Sequence, residues 1–62
     1  MKTFATFNCD GFKVEVFEAG EAGVRCGVRL IDTDAGEVVP YIKTWPIERL
    51  DEAVAYARRC AS

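Results

Sequence analysis

The stretch TFATFNCDGFKVEVFE, residues 3 to 18, constrains this chain more than any other. Asp10-Gly11 lies between two runs of alternating apolar and polar residues, the strongest short-range signal for a hairpin with a two-residue loop. With those two residues as the loop, Cys9 pairs with Phe12, Asn8 with Lys13, Phe7 with Val14, Thr6 with Glu15, Ala5 with Val16 and Phe4 with Phe17. Side chains alternate between faces along a strand. One face therefore collects Ala5, Phe7, Cys9, Phe12, Val14 and Val16, and is the expected core face. The opposite face carries Thr6, Asn8, Lys13 and Glu15, and with them Phe4 and Phe17, directly opposed in a non-hydrogen-bonded pair where side chains stand closest. Two of the four phenylalanines are thus expected on the side turned away from the core.

A second hairpin follows. Residues 18 to 23, EAGEAG, form a short glycine-containing connection. VRCGVRLI then alternates cleanly, with Val24, Cys26, Val28 and Leu30 on one parity and Arg25, Gly27, Arg29 and Ile31 on the other. TDAGE reads as a type I turn closed by a glycine bulge at Gly36, a three-residue loop that pairs Thr33 with Glu37. That register sets Ile31 opposite Val39, Leu30 opposite Pro40, Arg29 opposite Tyr41, Val28 opposite Ile42 and Gly27 opposite Lys43. Pro40 then sits in a non-hydrogen-bonded pair on an edge strand, residues 37 to 44, where a missing N–H loses nothing.

WPIERLDEAVAYARRCA is the one helix expected. Pro46 suits a first helical turn, Glu48, Asp51 and Glu52 lie near the start, and Arg58 and Arg59 near the end, as the helix dipole favours. At about 100° per residue, Ile47, Leu50, Ala53, Val54, Ala57, Cys60 and Ala61 fall on one arc, with Arg49 and Tyr56 outside it. That arc is expected to cover one face of the sheet and leave the other open.

A chain of 62 residues reads as one small domain spanning residues 1–62, burying about 60% of the surface its unfolded chain exposes. The first residues lack the roughly 7 to 15 residue apolar segment of a signal peptide. No run approaches the ~20 apolar residues that span a bilayer. The expectation is a cytoplasmic protein with no membrane partner. Three cysteines and no histidine, with no close Cys pair, argue against a zinc site or a His-activated thiol. No metal, no cofactor and no catalytic residue is expected, and the thiols read as small buried hydrophobes.

The open face is expected to present Phe4, Phe17, Ile31, Val39, Tyr41 and Trp45 among Lys13, Glu15, Arg25, Arg29 and Lys43. Four basic residues against one acid give +3 there, leaving −5 for the rest of a chain of formal net charge −2. A contiguous aromatic patch of this kind marks an interaction site. Each member also has a plain structural reading. Phe4 and Phe17 form a cross-strand pair, Arg25 and Arg29 pair with Glu15 and cover the rings, and Trp45, next to Pro46, folds over the sheet edge and closes the core.

The fold class is therefore expected to be α+β, a four-stranded antiparallel meander with one C-terminal helix on one face. The expected function is a non-catalytic interaction protein that binds a protein partner, or a second copy of itself as a homodimer. Its candidate partner-binding residues are Phe4, Phe17, Arg25, Arg29, Tyr41, Lys43 and Trp45. The alternative is a single-stranded nucleic-acid-binding module using the same face, with rings for stacking and arginines for phosphates. The element order is shared with folds of that kind such as Whirly-like proteins, a likeness of order alone. A sequence pI near 4.9 lacks the basic footprint of a nucleic-acid binder and favours the protein partner.

Overall fold

The computed structural model describes residues 2–38 and 43–62, the side chains of residues 37 and 38 excepted. The strands are β1 (Thr3–Cys9), β2 (Phe12–Ala19), β3 (Arg25–Asp32), β4 (Glu37–Val38) and β5 (Lys43–Pro46), followed by helix α1 (Leu50–Ala61). Strand order is β1-β2-β3, and both β4 and β5 pair with the far edge of β3. The result is an antiparallel meander of four strand positions, the last filled by two short segments, with the helix packed on one side.

The first hairpin has the expected register from Cys9–Phe12 to Ala5–Val16. Beyond Ala5 it departs. Thr3, not Phe4, stands opposite Phe17, because a β-bulge lies between Thr3 and Ala5. The ladder resumes past it, where Glu18 N donates to Lys2 O at 2.7 Å. A bulge adds one residue to a strand and re-aims a side chain. Phe4 accordingly packs against the helix-side core, with Lys2 Nζ 5.6 Å from its ring centre. The expected Phe4–Phe17 pair does not form.

The second hairpin also differs by one residue. Asp32 pairs with Glu37 and Ile31 with Val38, so the loop is Thr33–Gly36 rather than three residues. Asp32 explains the extra residue: its Oδ1 accepts from Asp34 N at 2.9 Å and Ala35 N at 3.1 Å, a local side-chain turn that competes with the ladder. Gly36, at φ 72°, closes it by donating to Asp32 O at 2.7 Å. Further along β3, Gly27 faces Thr44 and Val28 faces Lys43. A one-residue slip turns side chains to the opposite face, so Lys43 and Trp45 belong to the helix side and Thr44 to the open side. The expected pairings of Val39, Pro40, Tyr41 and Ile42 lie outside the described residues.

The core lies between sheet and helix and consists of Val14, Val16, Cys26, Val28, Trp45, Ala53 and Ala57. Ala53 and Ala57 are fully buried; having only methyl side chains, they let the helix lie close to the β-branched residues of β2 and β3. Pro46 keeps an extended ψ of 149° and precedes a 3-10 turn, Ile47–Arg49, which delivers the chain to α1. The helix therefore starts later than Pro46 suggests. Tyr56, expected outside the packed arc, is half-buried and stands edge-on to Trp45, 5.3 Å between ring centres. Val24, expected on the same parity as Cys26 and Val28, is 55% exposed, since it belongs to the turn that precedes β3 and its carbonyl accepts from Ile47 N at 2.9 Å.

Candidate interaction surface

On the face turned away from the helix, β2 contributes Lys13, Glu15 and Phe17, and β3 contributes Arg25, Gly27, Arg29 and Ile31. The β2–β3 register places Glu15 beside Arg29 and Phe17 beside Gly27. Phe17 is the largest fully buried side chain among the described residues, although it is on the open side. Two of its described neighbours contribute to this. Gly27 provides a floor without a side chain: a Cβ there would lie 3.1 Å from Phe17 Cζ, so glycine is what allows the ring to lie against the backbone. Arg29 provides the roof, its Cζ 4.5 Å from the ring centre. A guanidinium over a ring at that distance adds about 0.5 to 2 kcal/mol, more as water is excluded.

Arg29 is held from its other side as well. Its Nε and Nη2 both donate to Glu15 Oε1 at 2.9 Å, and Lys13 Nζ stands 3.7 Å from Glu15 Oε2. Glu15 is only 9% exposed, a nearly buried carboxylate satisfied by two cations. Charge-assisted bonds of this length are the strong kind. At the β5 side, exposed Arg25 donates through Nη2 to Thr44 Oγ1 at 2.9 Å. The open face is therefore a charged lattice laid over one ring.

The seven candidate residues divide. Arg25, Arg29 and Phe17 are on the open face, with Phe17 sealed beneath the surface. Phe4 is on the helix side through the bulge. Lys43 and Trp45 are there through the register of β5, and Trp45, 8% exposed, closes the core edge. Lys43 Nζ stands 5.5 Å from the Trp45 ring centre and 5.8 Å from that of Tyr56. It borders a shallow hollow of about 210 Å³ that Glu52 and Arg59 also line. Tyr41 lies outside the described residues. An aromatic row across the open face is therefore not what these residues make. Thr44 and Gly27 are the partners the sequence reading passed over; the interior glycine of β3 was the available signal for a close approach.

Charge on the open face follows the corrected membership. Lys13, Arg25 and Arg29 against Glu15 give +2, leaving −4 for the rest of a chain whose formal net charge is −2. On the helix side, burial pushes the Cys26 thiol up, opposed to a smaller extent by the nearby Arg25 charge and by a backbone hydrogen bond with Trp45. Among the described residues no group of three or more His, Cys, Asp or Glu could hold a metal ion, and no helix is long and apolar enough to cross a membrane. No protein-family model, no curated protein and no solved structure matches the chain significantly.

Proposed function

We propose that the chain is a small non-catalytic interaction module, and that the open sheet face binds an acidic surface of a protein partner. The observation that carries this reading is a sheet face uncovered by the helix, of net charge +2, in a chain that is acidic as a whole. Complementary charge steers encounter and fixes orientation. Arg29 suits such a role because its guanidinium is already positioned between Glu15 and Phe17 and loses little freedom on binding. Arg25, exposed and among the described residues hydrogen-bonded through its side chain to Thr44, supplies the adaptable contact. Location in the cytoplasm belongs to the same proposal and is supported by three free thiols, the state a reducing compartment maintains.

Single-strand binding is the weaker reading. It needs rings on which bases can stack, and the one described aromatic residue of the open face is fully buried. Self-pairing through this face is also disfavoured, because two copies would oppose +2 to +2.

The test is quantitative affinity capture from a lysate of the source cells, comparing the wild type with Lys13→Glu/Arg25→Glu and with Arg58→Glu on the helix. The expected result is a set of acidic proteins retained by wild type and Arg58→Glu and lost from the double variant. Equal retention by all three would place the binding surface elsewhere. Fluorescence anisotropy with labelled oligo-dT and oligo-dA at low salt is expected to show no uptake; binding that weakens with salt by about 0.7 log units per phosphate contact would favour the nucleic-acid reading.

A further inference from the structure

β1 is the terminal strand of the sheet, and among the described residues no strand pairs with its outer edge. Natural sheets blunt such edges with charge, proline, bulges or a covering element. Residues 3–9, TFATFNC, contain neither a charge nor a proline in a chain that is 29% charged. The bulge is the one such device in the strand, and it protects only the end near Phe4. Residues 5–9 stay regular.

The register says which backbone groups point outward. Cys9–Phe12 flanks the two-residue loop and is therefore a hydrogen-bonded pair, as are Phe7–Val14 and Ala5–Val16 in alternation. The N–H and C=O groups of Thr6 and Asn8 then face away from β2. Thr6 and Asn8 side chains are exposed on the open face, while Ala5, Phe7 and Cys9 are half-buried on the helix side. Phe7 lies at the flank of the helix, 5.9 Å from Arg58 Cζ.

We infer that the edge of residues 5–9 pairs with the same edge of a second copy, antiparallel and centred on Phe7. This register uses every regular residue and avoids the bulge. Thr6 of one copy exchanges hydrogen bonds with Asn8 of the other, and Asn8 with Thr6, so all the outward groups are satisfied. Phe7 meets Phe7 in a non-hydrogen-bonded pair, the close kind, and Ala5 meets Cys9. The half-exposed apolar row is thereby extended by an identical row, while the open-face positions bring together only uncharged Thr and Asn. Self-complementarity about one residue is what a twofold axis requires. That axis runs perpendicular to the sheet, so both helices lie on one side and both basic faces on the other. The pairing is small by the standards of stable interfaces, and dissociation on the order of 0.1 mM is expected.

Sedimentation equilibrium between about 10 µM and 1 mM brackets that constant and reads the mass against the 6.9 kDa of one chain. Wild type is expected to approach twice that mass at the upper end. Thr6→Pro removes an outward N–H and no bond within the chain, so it is expected to keep the far-ultraviolet spectrum and weaken association at least about tenfold. Thr6→Lys places a charge on the paired edge next to the axis, opposite Asn8 of the second copy, and provides the same reading should the proline variant fail to fold. Amide exchange at Thr6 and Asn8 is expected to slow as concentration rises. A mass of one chain throughout, association unchanged in Thr6→Lys, or a dimer abolished by Arg25→Glu instead, would overturn the inference. These outcomes are independent of whether the open face binds an acidic partner.

Discussion

Among the described residues, Phe17 is covered by the bare backbone of Gly27 and by the guanidinium of Arg29, which the Glu15 carboxylate holds in place. Its truncation is a core truncation, with an expected cost of about 3 to 5 kcal/mol for Phe17→Ala. Phe4→Ala at the rim is expected to cost less than half as much. Urea denaturation of the two variants decides the order, and a larger loss for Phe4→Ala would mean that the ring of Phe17 is in solvent. Arg29→Ala removes the roof and leaves Glu15 with Lys13 alone, for an expected loss of about 1 to 3 kcal/mol. Arg25→Ala, on an exposed pair, is expected to stay within about 0.5 kcal/mol. Cys26 makes a separate prediction about pH. Its thiol is raised in the folded state, so the stability it contributes is complete below the unfolded thiol value and is lost as pH rises through the folded one. Denaturation midpoints are expected to fall above the ordinary value of 9.0, and less steeply in Cys26→Ala. Identical alkaline slopes in the two proteins would contradict this.

At the scale of elements, the order of strands and helix was legible because alternation, the Asp-Gly turn and the helical arc are local signals. The core was legible in the same way, since Val14, Val16, Cys26, Val28, Ala53 and Ala57 follow directly from parity and period. What local patterning could not give was register away from a tight turn. The bulge at Phe4 and the Asp32 side-chain turn each insert one residue, and each moves side chains across the sheet without changing the alternation from which faces are read. Phe4 changed sides through the bulge, and Lys43 and Trp45 through the register of β5, which pairs Val28 with Lys43 and Cys26 with Trp45. Asp32→Ala is accordingly expected to cost about 1 kcal/mol, the usual loss for a side chain that caps backbone N–H groups. Amide exchange should accelerate at Asp34 and Ala35. No change in exchange at those two amides would mean that the carboxylate does not define the loop.

The whole molecule has a division of labour between its two sides. The helix side holds nearly all the apolar burial, including Trp45 and the helix alanines. Among the described residues, the open side carries one buried ring and a surplus of positive charge in a chain of sequence pI near 4.9. On the proposed reading such a surface selects partners by charge rather than by stacking, and its affinity should fall as salt is added, since exposed charges are screened over about 10 Å at 0.1 M. The most direct measurement is a heteronuclear NMR titration of the labelled protein with poly-glutamate, repeated at low and at high salt. The account predicts shifts confined to amides around Lys13, Arg25, Arg29 and Thr44 that vanish with salt. Shifts centred instead on Ala55, Arg58 and Arg59 of the helix, or none at low salt, would contradict it.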